Sequence, residues 1–222
     1  VTGNDTTVNL YATSNLTGNI TAYKFSDLQD TEVRTLLTTS TDAEGIYVDS
    51  DSDEVTQASR TMLQLNTYGN LDDALDGVDL DLRASSSADL VSPRDIAVVG
   101  NVYVVSDNSD VDADPLTDDG RFFIYTRSNN TYTLRNVVTV DFAVWGIEFV
   151  GNDLYAIVDK TSDVARFDAF ATTYTTDADI TPDKRITIEG IVRTHGIGYD
   201  EGTMILTDIG DAMVDNDGGY NG

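Results

Sequence analysis

Apolar and polar positions alternate along this chain in short runs, and the runs recur. Four segments share one frame: Glu44-Gly45-Ile46-Tyr47-Val48, Arg94-Asp95-Ile96-Ala97-Val98, Trp145-Gly146-Ile147-Glu148-Phe149 and His195-Gly196-Ile197-Gly198-Tyr199. Their isoleucines lie 50, 51 and 50 residues apart. Alternation over so few residues, bounded by turn residues, predicts strands rather than helices. After each frame comes an Asp/Gly/Asn turn and a second run: Val102–Asp107, Leu154–Asp159 and Met204–Asp208. The corresponding run after Glu44, Glu54–Ser59, is more polar. Third runs follow at Met62–Leu65, Arg121–Tyr125 and Val164–Phe167, and fainter fourth runs at Tyr132–Leu134 and Ile186–Ile188. Leu71–Leu80 reads as a short helix or loop outside this pattern.

Four short strands in each unit of about 50 residues define the blade of a β-propeller. One such sheet cannot bury both faces alone, so the sheets stack on one another around an axis. The small residue before Ile (Gly45, Gly146, Gly196) suits an innermost strand where backbones crowd together; Asp95 breaks that rule. The expected class is therefore all-β, a β-propeller of four-stranded antiparallel blades. The expected division is a partial blade 1–42, blades 43–92, 93–143 and 144–193, and a partial blade 194–222. Val8–Thr13 reads as a second strand and Gly18–Tyr23 as a third, with no first strand before them. A four-blade ring would need His195–Tyr199 to complete that blade, but Met204–Asp208 would then duplicate Val8–Thr13. The expectation is thus a piece of a larger ring of about six to eight blades.

Composition sharpens this picture. Of the 222 residues, 33 are Asp and only 6 are Glu. Asp competes with the backbone for hydrogen bonds and favours turns, which suits a strand-and-turn chain and not a helical bundle. The formal net charge of −26 argues against nucleic acid and anionic membrane surfaces as partners. No apolar run is long enough to span a bilayer, so no membrane insertion is expected. There is no cysteine and one histidine, which removes thiolate chemistry and any multi-histidine metal site. The acidic, lysine-poor composition leads to the expectation of a secreted or cell-surface protein. Asn-x-Thr triplets at Asn4, Asn15, Asn19 and Asn129 add little weight to it.

The frame x-Gly-Ile-x-Val, turn, Leu-Tyr-Val-x-Asp, turn, Val-x-x-Phe resembles the NHL-repeat and gluconolactonase-like propellers over nearly the whole chain. For the enzymes of that group the resemblance implies a divalent metal in the central channel, held by a strand-head Glu with Asn and Asp from other blades. Glu44-Gly45 matches the Glu-Gly start of that pattern. The other heads are Arg94, Trp145 and His195, where oxygen ligands belong to the pattern. No G-x-S-x-G elbow, Walker loop or dinucleotide fingerprint occurs.

Three sets of residues are candidate sites. Glu44, Arg94, Trp145 and His195 hold the same phase of the repeat, which predicts a ring of heads at one channel mouth, able to bind a small polar ligand or glycan or to seal the channel. Two Asp-rich loops are candidates for calcium, which takes six to eight oxygens. They are Asp110, Asp112 and Asp114 with Asp118, and Asp49, Asp51 and Asp53. Neither is an EF-hand: the sixth and twelfth places hold Glu54 and Arg60 in one loop, Pro115 and Arg121 in the other. Asp107, Asp159 and Asp208 close second strands and are expected to cap turns rather than to catalyse. The preferred function is a non-catalytic binding or scaffold module for a protein or small polar ligand. The alternative is a metal-dependent lactonase-like hydrolase that uses Glu44.

Overall fold

The structure, a computed structural model, describes residues 8–26, 30–109 and 119–209. The chain divides into two units, Val1–Asp89 and Leu90–Gly222. Apart from the two-residue strand Ala178–Asp179, the strands of each sheet pair antiparallel and follow one another in sequence.

The first unit holds two sheets. One is β1 (Val8–Thr13), β2 (Ile20–Ser26) and β3 (Asp30–Leu36) in that order. The other is β4 (Ala43–Asp49), β5 (Glu54–Ser59), β6 (Gln64–Gly69) and β7 (Asp81–Ser85), with helix α1 (Leu71–Leu75) between β6 and β7. Ile20, Ala22 and Leu36 pack with Val55, Tyr68, Leu71 and Ala74 to form the core. The polar run 54–59 is the most deeply buried strand of this unit. Most of its polar groups find partners, while Gln57 Oε1 is buried without one among the described residues. The Thr56 and Thr67 hydroxyls are 2.8 Å apart. Gln57 Nε2 donates to Thr13 Oγ1 and to the Gly18 carbonyl, both at 2.7 Å. Polar strands can be buried where such bonds offset desolvation. The third strand begins at Gln64 rather than Met62, and the fourth, β7, gave no clear run in the sequence.

The second unit holds three sheets. β8 (Pro93–Val99), β9 (Val102–Asp107), β10 (Gly120–Ser128) and β11 (Thr131–Val140) form one antiparallel series. β12 (Val144–Val150), β13 (Asp153–Val158) and β14 (Asp163–Phe167) form most of the next. Helix α2 (Phe170–Thr173) and the two-residue β15 (Ala178–Asp179) follow; β15 pairs in parallel with β11 of the preceding sheet. β16 (Lys184–Thr187) then closes the second sheet, and β17 (Thr194–Asp200) with β18 (Thr203–Asp208) makes the third.

The aromatic residues of this unit form its core. Phe122 meets Phe167 and Phe170 edge-to-face, at 5.6 and 5.5 Å between centroids. All three are fully buried. Each such ring contributes about 2–3 kcal/mol by leaving water, with a further ~1 kcal/mol from the edge-to-face geometry.

The first strands β8, β12 and β17 lie side by side. β12 and β17 approach closely at Gly146, where a Cβ would meet the His195 carbonyl oxygen at 2.8 Å and the Ile197 nitrogen at 3.1 Å. Both contacts are with backbone, which cannot rotate away. Gly146→Ala should therefore push β12 from β17 and cost about 1–3 kcal/mol. A lower thermal midpoint with unchanged far-ultraviolet circular dichroism would show this; an unchanged midpoint would contradict the tight approach.

Candidate functional site

Each first strand is irregular at the same place. The ladder slips between Ala43 and Ile46 in β4, Pro93 and Asp95 in β8, Val144 and Ile147 in β12, and Thr194 and Ile197 in β17. A bulge leaves one residue out of the ladder and re-aims its side chain. Glu44, Arg94, Trp145 and His195 all lie within these bulges.

In the second unit the bulges bring three heads together. The Arg94 guanidinium carbon is 4.3 Å from the centre of the Trp145 ring. The Trp145 and His195 ring centres are 4.3 Å apart, inclined at 42°. The cation over the indole contributes about 0.5–2 kcal/mol, depending on how far it is desolvated. All three side chains are half-buried. Trp145 Nε1 is buried with no hydrogen-bond partner among the described residues, and the Trp145 carbonyl accepts from Ser106 Oγ at 2.5 Å. The indole is thus held by stacking and by its backbone, while its one polar side-chain atom is unsatisfied. Glu44, in the first unit, has its carboxylate 3.5 Å from the Arg60 guanidinium, which also approaches Asp42 at 3.7 Å.

Below the heads, two carboxylates join neighbouring first strands. Asp95 accepts the Ile96 N–H and the Ile147 N–H, both at 2.9 Å. Glu148 accepts the Phe149 N–H at 3.0 Å and a backbone hydrogen bond from Tyr199. Each acid therefore takes the next N–H of its own strand and one from the strand beside it. The residue that broke the small-residue rule, Asp95, is the one that reaches across. Glu148 carried a fainter signal, an acid between Ile147 and Phe149 in an apolar run. Burial raises the Glu148 pKa above the ordinary glutamate range, and the two backbone donors oppose that shift.

The strand-closing acids act as caps. Asp107, fully buried, accepts the N–H groups of Val91 at 2.8 Å, Ser92 at 2.7 Å and Ser109 at 3.0 Å, and the Ser109 hydroxyl. Asp208 accepts Val192 and Arg193 N–H at 2.9 Å each. Asp159 lies one place further on. The Ile147↔Ala156 pairing makes Val158, not Asp159, the counterpart of Asp107. Asp159 accepts the Lys160 N–H at 2.8 Å and pairs with Arg193 at 3.2 Å.

In the first acidic loop Asp49 accepts Asp51 and Ser52 N–H at 3.1 and 3.3 Å, and Asp53 accepts Asp72 N–H at 2.6 Å. Among the described residues no three acids or histidines gather in a metal-binding group. Asp110, Asp112, Asp114 and Asp118 lie outside the described residues.

No protein-family model matches the chain, and no curated protein matches it in sequence. Solved structures do. The WD40 β-propeller domain of Doa1 is 12% identical, with a TM-score of 0.52 over 86% of this chain and 57% of that one. A functionally unknown protein from Desulfotomaculum acetoxidans DSM 771 is 11% identical, with a TM-score of 0.54 over 89% and 60%. A chain of a nidogen/laminin complex is 13% identical, with a TM-score of 0.48 over 85% and 79%. The chain spans less than two thirds of the Doa1 and Desulfotomaculum chains. The fold is an all-β β-propeller with antiparallel blades.

Two outcomes follow for the bridging acids. Asp95→Ala leaves the Ile147 N–H, on a residue 2% exposed, without its acceptor, and should cost about 1–3 kcal/mol in denaturant unfolding. An unchanged midpoint would remove the bridge as a stabilising contact. For Glu148 the folded pKa lies above the unfolded one, so the folded state binds the proton more tightly. Its contribution to stability is greatest at low pH and is lost as pH rises through the ordinary glutamate range to the raised folded value. Glu148→Gln should flatten that part of the stability–pH curve, and equal slopes in the two proteins would refute the assignment.

Proposed function

We propose that this chain is a non-catalytic binding module, and that the stacked heads Arg94, Trp145 and His195 form its ligand-contacting site. The observation that supports this reading is the convergence of three polar or aromatic heads from successive blades, each freed from its ladder by a bulge. Bulges cluster where a strand must aim a side chain for function. The ligand expected is one that presents hydrogen-bond acceptors to the half-buried Arg94 and His195 side chains beside the Trp145 ring: a polar protein segment or a small polar molecule such as a sugar acid. The NHL-like and secreted character of the protein belongs to this proposal and rests on the repeat frame and the acidic composition. The pairing of Glu44 with Arg60 favours binding over the lactonase alternative, because a carboxylate engaged by a guanidinium is a poorer cation ligand.

Trp145, the sole tryptophan, reports directly on this site. A screen of sugars, sugar acids and peptides should yield a ligand that shifts or quenches its emission, with the response lost in Arg94→Ala while its far-ultraviolet circular dichroism shows the chain still folded. An emission unaffected by the whole screen, or a response that survives Arg94→Ala, would remove the site.

A further inference from the structure

The Asn-x-Thr triplets at Asn4, Asn15, Asn19 and Asn129 are not equivalent in the fold. Asn4 lies outside the described residues. Asn19 is engaged: its Oδ1 accepts the Thr38 N–H at 3.3 Å, and the next residue, Ile20, is fully buried. Asn15 is exposed on the turn between β1 and β2, but the Thr17 hydroxyl of its triplet accepts the Asn19 N–H at 3.3 Å.

Asn129 stands apart. It opens the two-residue turn between β10 and β11, closed by the pairing of Ser128 with Thr131. Ser128, Asn129, Asn130 and Thr131 are all exposed. β10 pairs with β9 only as far as Thr126, so the turn projects beyond that neighbour. Asn129 has a φ of 52°, in the left-handed region that asparagine tolerates. That conformation accounts for an asparagine at 129 and places no demand on residue 131. Among the described residues no side-chain hydrogen bond engages Asn129 or Thr131.

The register fixes which way the turn points. β8 leaves the heads at Arg94 and ends at Val99, and β9 returns from Val102 to Asp107, opposite Pro93. β10 sets out from that same end, where Arg121 pairs with Asp107. The β10–β11 turn is therefore at the end of the sheet away from Arg94. At about 3.3 Å per residue, the run from Phe122, which is level with Asp95 through Ser106, to Asn129 spans roughly 20 Å.

We infer that Asn129 is an acceptor site for an N-linked glycan. Asn-x-Thr on an exposed turn is the form in which a secreted chain offers that site. The donor is an oligosaccharide carried on a lipid phosphate. The Asn129 side-chain nitrogen attacks the anomeric carbon: a C–N bond forms, and the bond from that carbon to the phosphate oxygen breaks. The amide nitrogen gives up one proton, the lipid phosphate leaves with the electron pair, and nothing is oxidised or reduced. A glycan here covers the far end of the sheet with a bulky hydrated body and leaves the heads open. The inference rests on the secreted reading of the chain.

The test exports the full chain from a glycosylating yeast behind a secretion signal and reads the intact mass and the peptide containing Asn129. A mass increment of several sugar units is expected, and peptide N-glycosidase should remove it and leave a carboxylate at that side chain. Thr131→Val keeps the turn asparagine and should abolish the glycan, Thr131→Ser should retain it, and Asn19→Gln should leave it unchanged. An exported chain with Asn129 unmodified, a glycan at Asn129 that survives Thr131→Val, or a glycan confined to Asn15 or Asn19 would overturn the inference. The same peptide from the organism that makes the chain separates the two readings. An exported chain without the glycan overturns this inference, whereas a chain retained inside the cell overturns the secreted reading, with the yeast result still deciding whether Asn129 is an acceptor.

Discussion

The first strands of neighbouring blades lie side by side without a ladder between them, and their backbone polar groups must still be satisfied. A buried N–H without an acceptor costs as much as a lost hydrogen bond, so close packing of separate sheets is possible only where something else accepts. In the second unit that acceptor is a carboxylate. Asp95 joins β8 to β12, and Glu148 joins β12 to β17. One acid per junction takes an N–H from each side and fixes the two strands in mutual register. The apolar packing of Phe122, Phe167 and Phe170 supplies most of the burial, but it is not directional. Register along the first strands comes from the acids, and register is what brings the three heads level.

The same chemistry accounts for a composition so rich in Asp. A short carboxylate can accept two or three backbone N–H groups at once, and Asp107 does so where the connection entering the blade meets the end of its second strand. The acids of this chain are therefore not only a solvated surface. Several of them replace ladder bonds where strands end or change sheet. At Glu148 burial outweighs the two backbone donors, and its pKa is raised.

Much of the architecture was legible because a first strand packed on both faces tolerates few residues. The isoleucine frame at a stride of 50 or 51 marks β4, β8, β12 and β17 directly. The outer strands were less legible, since β7 is largely exposed and needs no apolar alternation. β5 misled in the opposite sense: its Thr56, Gln57 and Ser59 side chains hydrogen-bond to neighbouring segments, so a polar run became the most buried strand of its unit. The strand heads were readable as a set from their phase. The contact among Arg94, Trp145 and His195 was not, because it depends on three bulges that no residue pattern announces. Asp159 was misaligned by one place, since the turns before β9 and β13 have the same length while the apolar run of β13 resembles that of β9 displaced by one residue.

A bulge separates what the fold requires from what a site can vary. Ile46, Ile96, Ile147 and Ile197 are identical because each fills the same position in a packed sheet. The residues just before them are an acid, a guanidinium, an indole and an imidazole, as different as side chains can be, because a residue outside the ladder bears little of the sheet's energy. The constraint on those positions is their aim rather than their packing. Differences among the repeats therefore concentrate chemistry at the heads. The bridging acids lie only one to three residues away, where the ladder resumes, so the elements that fix the register and those that can meet a ligand share one short stretch of each first strand. Any change that loosens an acid bridge should be felt first by the stack above it.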